Sequence, residues 1–495
     1  MSKLIIQNGN MCELDLPLKF AQKLYNEFAI RHPNAFYLRT RQRGMQNWDG
    51  KIHYITKTGQ FKIGLLPKVY DMCIEMGIKP KVVDMRQPLP KISKVVTNIG
   101  KYKLRPEQEK AVKSVINNRV GDTPFHIGVL DYTVNAGKTL IMSSLYLTYK
   151  KQLKTLLITN DSDWLNQARE EFKQYLPGED ITFVQGKVLN WSNFTIGMVQ
   201  SISRNMRFYQ KELSQIDMVL VDEADQGGSK QYQNVITRLF NTRIRIGLSG
   251  TIYMSKLAKD KVKNMNLECF FGKVIAEFKL KDSIKKGYST KTIVKMVPGK
   301  PWYGNWESDC ISYKEIYDDS ITNSYTAWLM AYNRLLWNLN QGRYPALVVC
   351  KHIAHCENLY KFFKKKLGDA YNIAYVHVNT PSKLRQQIMR DFREGKIDIL
   401  VSTTIIARGK NFPKLRYLLN AASMDSQEKS IQFLGRLVRT DKSKKKVYLD
   451  DLHYPGPYLD RHGKHRKQYY QRQELKVILL DKLWKKHPNH SLIKS

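Results

Sequence analysis

Two short stretches, Asn135-Ala136-Gly137-Lys138-Thr139 and Asp222-Glu223-Ala224-Asp225, carry residue types that can handle a nucleoside triphosphate. The first stands where HIGVLDY reads as a strand and KTLIMSSLYLTYKK as a helix. A strand-to-helix handover offers free backbone N–H groups and the positive end of a helix dipole to an anion. Lys138 is then placed to reach the terminal phosphates, and the Thr139 hydroxyl to ligate Mg²⁺. The pattern departs from G-x-x-x-x-G-K-[ST], because Tyr132 stands where the first glycine is usual. Taken alone, the stretch also reads as a plain turn with an exposed lysine. The acidic stretch weighs against that. It ends the apolar run DMVLV, and the C-terminal tip of such a strand is where parallel α/β sheets bind ligands. There Asp222 can hold Mg²⁺ and Glu223 can accept a proton from an attacking water. A solvated acidic turn is the plainer reading of two carboxylates. The two stretches together point to a nucleotide hydrolase.

The elements that must position these residues are legible as alternating strands and helices. Apolar runs TLLIT (155–159), FTIGMV (194–199) and DMVLV (217–221) are short, β-rich and bounded by polar residues, as strands buried in a parallel sheet are. The alternation returns with ALVVC (346–350), IAYVHV (373–378), IDILVS (397–402) and KVYLDD (446–451). An α/β protein with two parallel-sheet domains in tandem, residues 100–290 and 291–455, is expected. Ahead of them, residues 1–95 mix strands and helices and form a small α+β accessory domain. LPLKFAQKLYNEFAIR (16–31) has helical periodicity, KIHYIT and FKIGLL read as two strands joined by the turn 57–60, and PKVYDMCIEMGI resumes a helix. RQPLPKISKVVTNIG reads as a linker, and residues 456–495 as a basic C-terminal segment.

Composition narrows the partners. The 495 residues carry 82 Lys+Arg against 44 Asp+Glu, a formal charge of +38 that attracts polyanions, nucleic acid first among them. With 42% hydrophobic residues and no low-complexity tract, the chain is globular. A membrane partner is not expected, since no apolar run is long enough to span a bilayer. The N-terminus lacks a signal-peptide core, and no pair among the six cysteines is spaced C-x-x-C. A reduced, cytoplasmic protein with cysteines acting as small buried hydrophobes follows.

In order along the chain, the stretches resemble the motifs of the superfamily 2 helicases and translocases. Asp222-Glu223-Ala224-Asp225 looks like motif II. YKLRPEQ (102–108) is similar to the entry motif, whose glutamine, here Gln108, reads adenine. IGLSGTI (246–252) resembles motif III, with Ser249 and Thr251 in coupling positions. ILVSTTIIARGKNFP (399–413) resembles motif V, and QFLGRLVR (432–439) matches motif VI, Q-x-x-G-R-x-x-R. The resemblance implies two RecA-like motor domains with ATP and Mg²⁺ as cofactors, and with Gln432 and Gly409 beside the nucleotide. It also implies that Arg436 and Arg439 serve as arginine fingers, a role that suits a planar fork facing spread phosphoryl charge. Asn135 replaces the usual glycine or serine of the loop. SGT in motif III and QFLGR in motif VI separate the chain from the DEAD-box group, and no nuclease-like acid cluster supports a restriction enzyme.

The nearer resemblance is to the phage UvsW-type recombination helicases. CKHIAHCENLYKFF (350–363) looks like their motif IV region, and NWDGKIHYI with FKIGLL (47–66) like the signature of their N-terminal domain. This implies ATP-driven unwinding and branch migration of branched DNA, with RNA–DNA hybrids as a further substrate and phage or host recombination proteins as partners. The implied setting is a bacterial host's cytoplasm. Family-implied strand contacts are Gln200, Ser201, Thr403 and Arg408. In FYLRTRQR, Arg39, Arg41 and Arg43 can touch a duplex arm, while Trp48 of Asn47-Trp48-Asp49-Gly50 reads as the cap of a tight turn. The basic stretch after residue 456 can contact phosphates. Its Tyr469 and Tyr470 can stack on bases or pack on the second motor domain.

Overall fold

The computed structural model describes residues 2–480 except 42–43, 93, 150–151, 253–259, 300–311, 408–411, 426–429, 431–432, 436 and 442–443. The chain divides into two compact units, Met1–Phe278 and Lys279–Ser495.

Each unit is built on a seven-stranded, all-parallel sheet. Across the first sheet the strands run Ile181–Val184, Phe194–Met198, Thr155–Thr159, Met218–Asp222, Ile244–Ser249, Ile127–Tyr132 and Val274–Phe278. Across the second they run Ile373–Val376, Ile399–Thr403, Ala346–Cys350, Tyr417–Asn420, Lys446–His453, Lys291–Pro298 and Lys476–Leu479. Numbered in chain order within each sheet, both orders are 3-4-2-5-6-1-7. The two sheets share one topology, that of tandem RecA-like domains. The central runs are fully buried, as in TLLIT, ALVVC and MVLVD, because helices cover both faces of a parallel sheet.

Residues 1–95 form a small α+β region around the sheet Gln60–Lys62, Met11–Asp15, Lys3–Ile6, Lys81–Asp84. It packs directly on the first motor sheet. The fully buried Arg245 donates from Nη1 to the Phe270 carbonyl at 3.2 Å and from Nη2 to the Gly9 carbonyl and Asn10 Oδ1 at 2.7 and 2.8 Å. At Gly64 a Cβ would lie 2.1 Å from the Glu268 carbonyl, so only glycine lets this turn touch the helix Lys261–Phe271.

Several local expectations are corrected. The helix expected over residues 16–31 spans Leu18–Glu27, and Ala29–Arg31 instead pairs antiparallel with Lys51–His53. KIHYIT and FKIGLL do not form a hairpin ladder: Gln60–Lys62 pairs with Met11–Asp15, and Ile55↔Phe61 is a lone bridge. Ile63–Leu65 is a 3₁₀ turn. Trp48 does brace its turn, Nε1 donating to the Lys51 carbonyl at 2.8 Å. The linker is tied down, with Ser144 Oγ donating to the Val96 carbonyl and Arg243 Nη1 to the Pro88 carbonyl. Five of the cysteines are free and buried, and burial pushes the thiol of Cys269 up to about 12. No helix among the described residues is long and apolar enough to cross a membrane.

The basic C-terminal stretch is partly core. Helix Leu459–Arg472 packs on the second sheet, and Lys476–Leu479 completes it. Arg466 and Asp451 are both fully buried, joined by Nε and Nη2 contacts of 2.8–3.0 Å. Tyr470 hydroxyl and Asn420 Nδ2 donate to the same carboxylate at 2.7 and 2.8 Å. Tyr469 and Tyr470 are 7% and 1% exposed, so they pack rather than stack on bases. Arg466→Met strands Asp451 in the core and is expected to lower the stability of this unit by about 3–5 kcal/mol. Denaturant unfolding followed by tryptophan fluorescence would measure it, and Tyr470→Phe should lose only about 1 kcal/mol.

Candidate functional site

The phosphate loop and the acidic stretch meet because the strands Met218–Asp222, Ile244–Ser249 and Ile127–Tyr132 lie side by side and end together. Asp131 stands opposite Ser249, and Asp222 opposite Leu248. Tyr132, in the place of the missing glycine, is the last strand residue; it is buried and its hydroxyl donates to the Glu107 carbonyl at 2.8 Å. The loop then turns through Asn135 at φ 65° and Gly137 at φ 74° into the helix Lys138–Thr148. Asparagine tolerates this left-handed conformation better than other side-chain-bearing residues, which accounts for Asn135 where glycine is usual.

Lys138 closes the site. Its Nζ lies 3.4 Å from Asp222 Oδ1 and 3.5 Å from Glu223 Oε1. Burial pulls the ammonium down, but Glu223, Asp222 and Asp225 outweigh it and hold Lys138 above the usual lysine range. Asp222 is 2% exposed, and burial pushes its carboxyl up to about 6, with Lys138 opposing and Glu223 reinforcing the rise. Glu223 keeps a third of its side chain in solvent and holds φ at 49°, a strained value for a non-glycine residue. Such strain, of about 1–3 kcal/mol, persists where the surroundings impose it.

The neighbouring acid is tied to the next strand. Ser249 Oγ donates to Asp225 Oδ1 at 2.9 Å and accepts from the Thr251 N–H at 3.1 Å, with Thr251 Oγ1 also 3.1 Å away. Gln108 lies under the loop: its Nε2 donates to the Ala136 carbonyl at 2.8 Å, and its Oε1 accepts from the Arg105 N–H at 2.9 Å. The side chain is buried beneath the loop and held at both ends of its amide by these contacts. A Cβ on Gly137 would come within 2.2 Å of that Nε2 and would displace the amide, and the φ of 74° itself favours glycine here.

These residues suit a triphosphate with Mg²⁺. Lys138, partly exposed at the helix N-terminus, can exchange its carboxylates for phosphates, leaving Asp222 and Thr139 to hold the metal. Among the described residues no group of three or more His, Cys, Asp or Glu could hold a metal.

The remaining candidates are less concentrated. Gln200 Nε2 donates to the Asn160 carbonyl at 3.4 Å, and Ser201 Oγ accepts from the Gly186 N–H at 2.9 Å. Thr403 ends a strand of the second sheet and is 7% exposed. Arg39 and Arg41 are exposed on the helix Ala35–Arg41. Arg43, Arg408, Gly409, Gln432 and Arg436 lie outside the described residues.

Arg439 is held by residues the sequence did not single out. Thr290 N–H donates to the Val438 carbonyl at 2.8 Å, and Thr290 Oγ1 to the Arg439 carbonyl at 3.1 Å. The buried Lys444 Nζ donates to the carbonyls of Leu437 and Leu415 at 3.0 and 3.1 Å. Three consecutive carbonyls at the end of QFLGRLVR are thus fixed from outside. No pattern marks Lys444, one lysine in a basic run. Arg105, whose Nη2 donates to the Asn135 carbonyl at 3.1 Å, was also missed, though it stands three residues before Gln108. The acids of the second sheet are used structurally: Asp450 accepts from Arg334, Tyr417 and Asn338, and Asp451 from Arg466. Among the described residues, only the first sheet leaves carboxylates poised on a lysine at its strand ends.

The family model of the type III restriction enzyme res subunit matches residues 101–254, and that of the helicase conserved C-terminal domain matches residues 329–441. The chain belongs to superfamily 2 of the helicases, a class of ATP-hydrolysing motors. It is similar to the ATP-dependent DNA helicase uvsW of Enterobacteria phage T4, 22% identical over 82% of each chain. It is also 22% identical, over 71% of its length, to a helicase-named protein of Sulfolobus islandicus filamentous virus, of which it spans 64%. Among solved structures, the fold resembles S. cerevisiae Dbp5 bound to RNA and ADP BeF3, with a TM-score of 0.52, 14% identity, and 78% and 92% of the two chains covered.

Proposed function

We propose that this protein couples hydrolysis of ATP·Mg²⁺ to the unwinding and branch migration of branched DNA, such as Holliday junctions and stalled forks. The observation that carries the motor half is the cluster of Lys138, Asp222 and Glu223, formed where the strand Met218–Asp222 and the loop after Ile127–Tyr132 end on either side of Ile244–Ser249. Incoming phosphates displace the carboxylates from Lys138. Asp222 and Thr139 would hold Mg²⁺, which when bound would neutralise phosphate charge, and Glu223 would be free to take a proton from the attacking water. Gln108, the glutamine of the stretch that resembles the entry motif, would read the base. Arg436 and Arg439 supply charge to the transferred phosphoryl, and Ser249 and Thr251 relay the change through Asp225. DNA as the partner is supported by the charge of +38 and by similarity to a relative named as a DNA helicase.

The test is the steady-state ATPase rate without nucleic acid and with single-stranded DNA, single-stranded RNA or a four-way DNA junction. Strongest stimulation by the junction is expected. Equal stimulation by either single strand would reduce the protein to a general translocase, and strongest stimulation by RNA would make it an RNA helicase.

If Arg439 acts on the phosphoryl, its carrier matters. Lys444→Met leaves the Leu437 and Leu415 carbonyls without their ammonium, and a slight misplacement of Arg439 should lower kcat by about 10–100-fold. KM for ATP should hardly move, and Lys444→Arg should recover part of the loss. Initial-rate kinetics on the three proteins would separate these effects.

A further inference from the structure

The helix Ala35–Arg41 in the N-terminal region buries only Ala35 and leaves two rings in water: Phe36 is 79% and Tyr37 55% exposed. Single exposed apolar side chains are ordinary on a protein surface, but two neighbouring rings beside a cationic groove make a patch of the kind that marks an interaction site. Beside Phe36 runs a groove lined by Arg31, Arg39, Gln46, Asp49 and Lys51. Its one carboxylate is already engaged, Asp49 Oδ1 accepting from the Lys51 N–H at 2.9 Å and Oδ2 lying 2.7 Å from His53 Nε2. The groove therefore presents three cations and one occupied anion next to a bare aromatic face. Tyr37 already carries the Arg41 guanidinium 5.0 Å from its ring centre, so Phe36 is the ring open to an incoming partner.

We infer that Phe36 stacks on an unpaired nucleic-acid base at a branch point or frayed end, while Arg31, Arg39 and Lys51 hold the phosphates beside it. A base inside a duplex has both faces covered by its neighbours, so an exposed ring can stack only where the stack is interrupted, as at a branch point, an unpaired strand or a duplex end. Stacking ignores base identity, and phosphate contacts ignore sequence, which suits a motor that meets arbitrary branches. An apolar protein partner fits less well, because it would leave the three cations of the groove unmatched. The inference rests on the reading of this chain as a nucleic-acid motor, and it assigns the N-terminal region the task of sensing the fork.

The experiment uses the full chain and fluorescence anisotropy at fixed salt, with a forked DNA and a blunt duplex of equal length. Phe36→Ala should weaken fork binding by roughly 5- to 150-fold and duplex binding little. Phe36→Trp should bind the fork as tightly as the wild type, and Phe36→Leu as weakly as Phe36→Ala, because leucine keeps apolar bulk without a π face. Arg39→Ala should weaken both ligands alike and reduce the salt slope by about 1. Leu18→Ala, also highly exposed but on another helix, should change neither. Unaltered fork binding by Phe36→Ala overturns the surface and leaves the motor reading standing, as does wild-type-like binding by Phe36→Leu. A wild-type chain that binds neither DNA overturns both.

Discussion

Glu223→Gln is expected to lower the ATP turnover number by about 10²–10⁴-fold while the protein still binds ATP·Mg²⁺. The side chain keeps its size and its strained backbone position at φ 49°, so the loop and Lys138 need not move. What is lost is the capacity to accept a proton. Glu223 Oε1 lies 3.5 Å from Lys138 Nζ, and a third of the side chain is in solvent, within reach of a water. The amide would weaken the pull on Lys138 and, if anything, ease the approach of phosphates. Single-turnover hydrolysis, with equilibrium binding of a fluorescent ATP analogue, separates the two effects. Turnover near the wild-type level would remove Glu223 from the chemistry.

Lys138→Ala should do more damage, and of two kinds. Turnover should fall by about 10³-fold or more, since phosphoryl transfer depends almost wholly on positioning and charge stabilisation. The nucleotide-free protein should also lose about 3–5 kcal/mol, because Asp222 is left buried beside Glu223 and Asp225 without a cation. That penalty depends on pH. A carboxyl whose folded pKa is raised holds its proton more tightly in the folded state than in the unfolded chain. It therefore adds stability at low pH that is lost as pH rises through the folded value, about 6 for Asp222 with Lys138 present. Without Lys138 the carboxyl becomes still harder to ionise. The gap between variant and wild type should thus narrow below pH 6 and widen toward neutrality, as denaturant melts at several pH values would show. A gap independent of pH would mean that Lys138 acts by packing alone.

Much of this site could be read from the sequence because its parts are local. A strand–loop–helix handover at residues 127–148 and two acids at the end of an apolar strand are each visible within a dozen residues. The family resemblance supplied their order. Their adjacency was not visible, since it depends on the strand order that puts Ile244–Ser249 between the other two. Asn135 looked like a defect and proves to occupy a turn conformation that suits asparagine. The misses share a cause. Ala29–Arg31 has helical periodicity but pairs with Lys51–His53, so a distant partner overrides a local preference. The stretch after residue 456 looks soluble because of its lysines and arginines, yet Arg466 and Tyr470 are consumed by Asp451, an acid on a strand some fifteen residues earlier. Thr290 and Lys444 act through backbone carbonyls, and no residue pattern reports that.

The central claim is tested most directly by following a fluorescently labelled, mobile four-way DNA junction as it is converted to its two duplex products. With ATP and Mg²⁺ the wild-type protein should drive the conversion, and neither a non-hydrolysable ATP analogue nor Glu223→Gln should support it. A wild-type protein that hydrolyses ATP but leaves the junction intact would contradict the account.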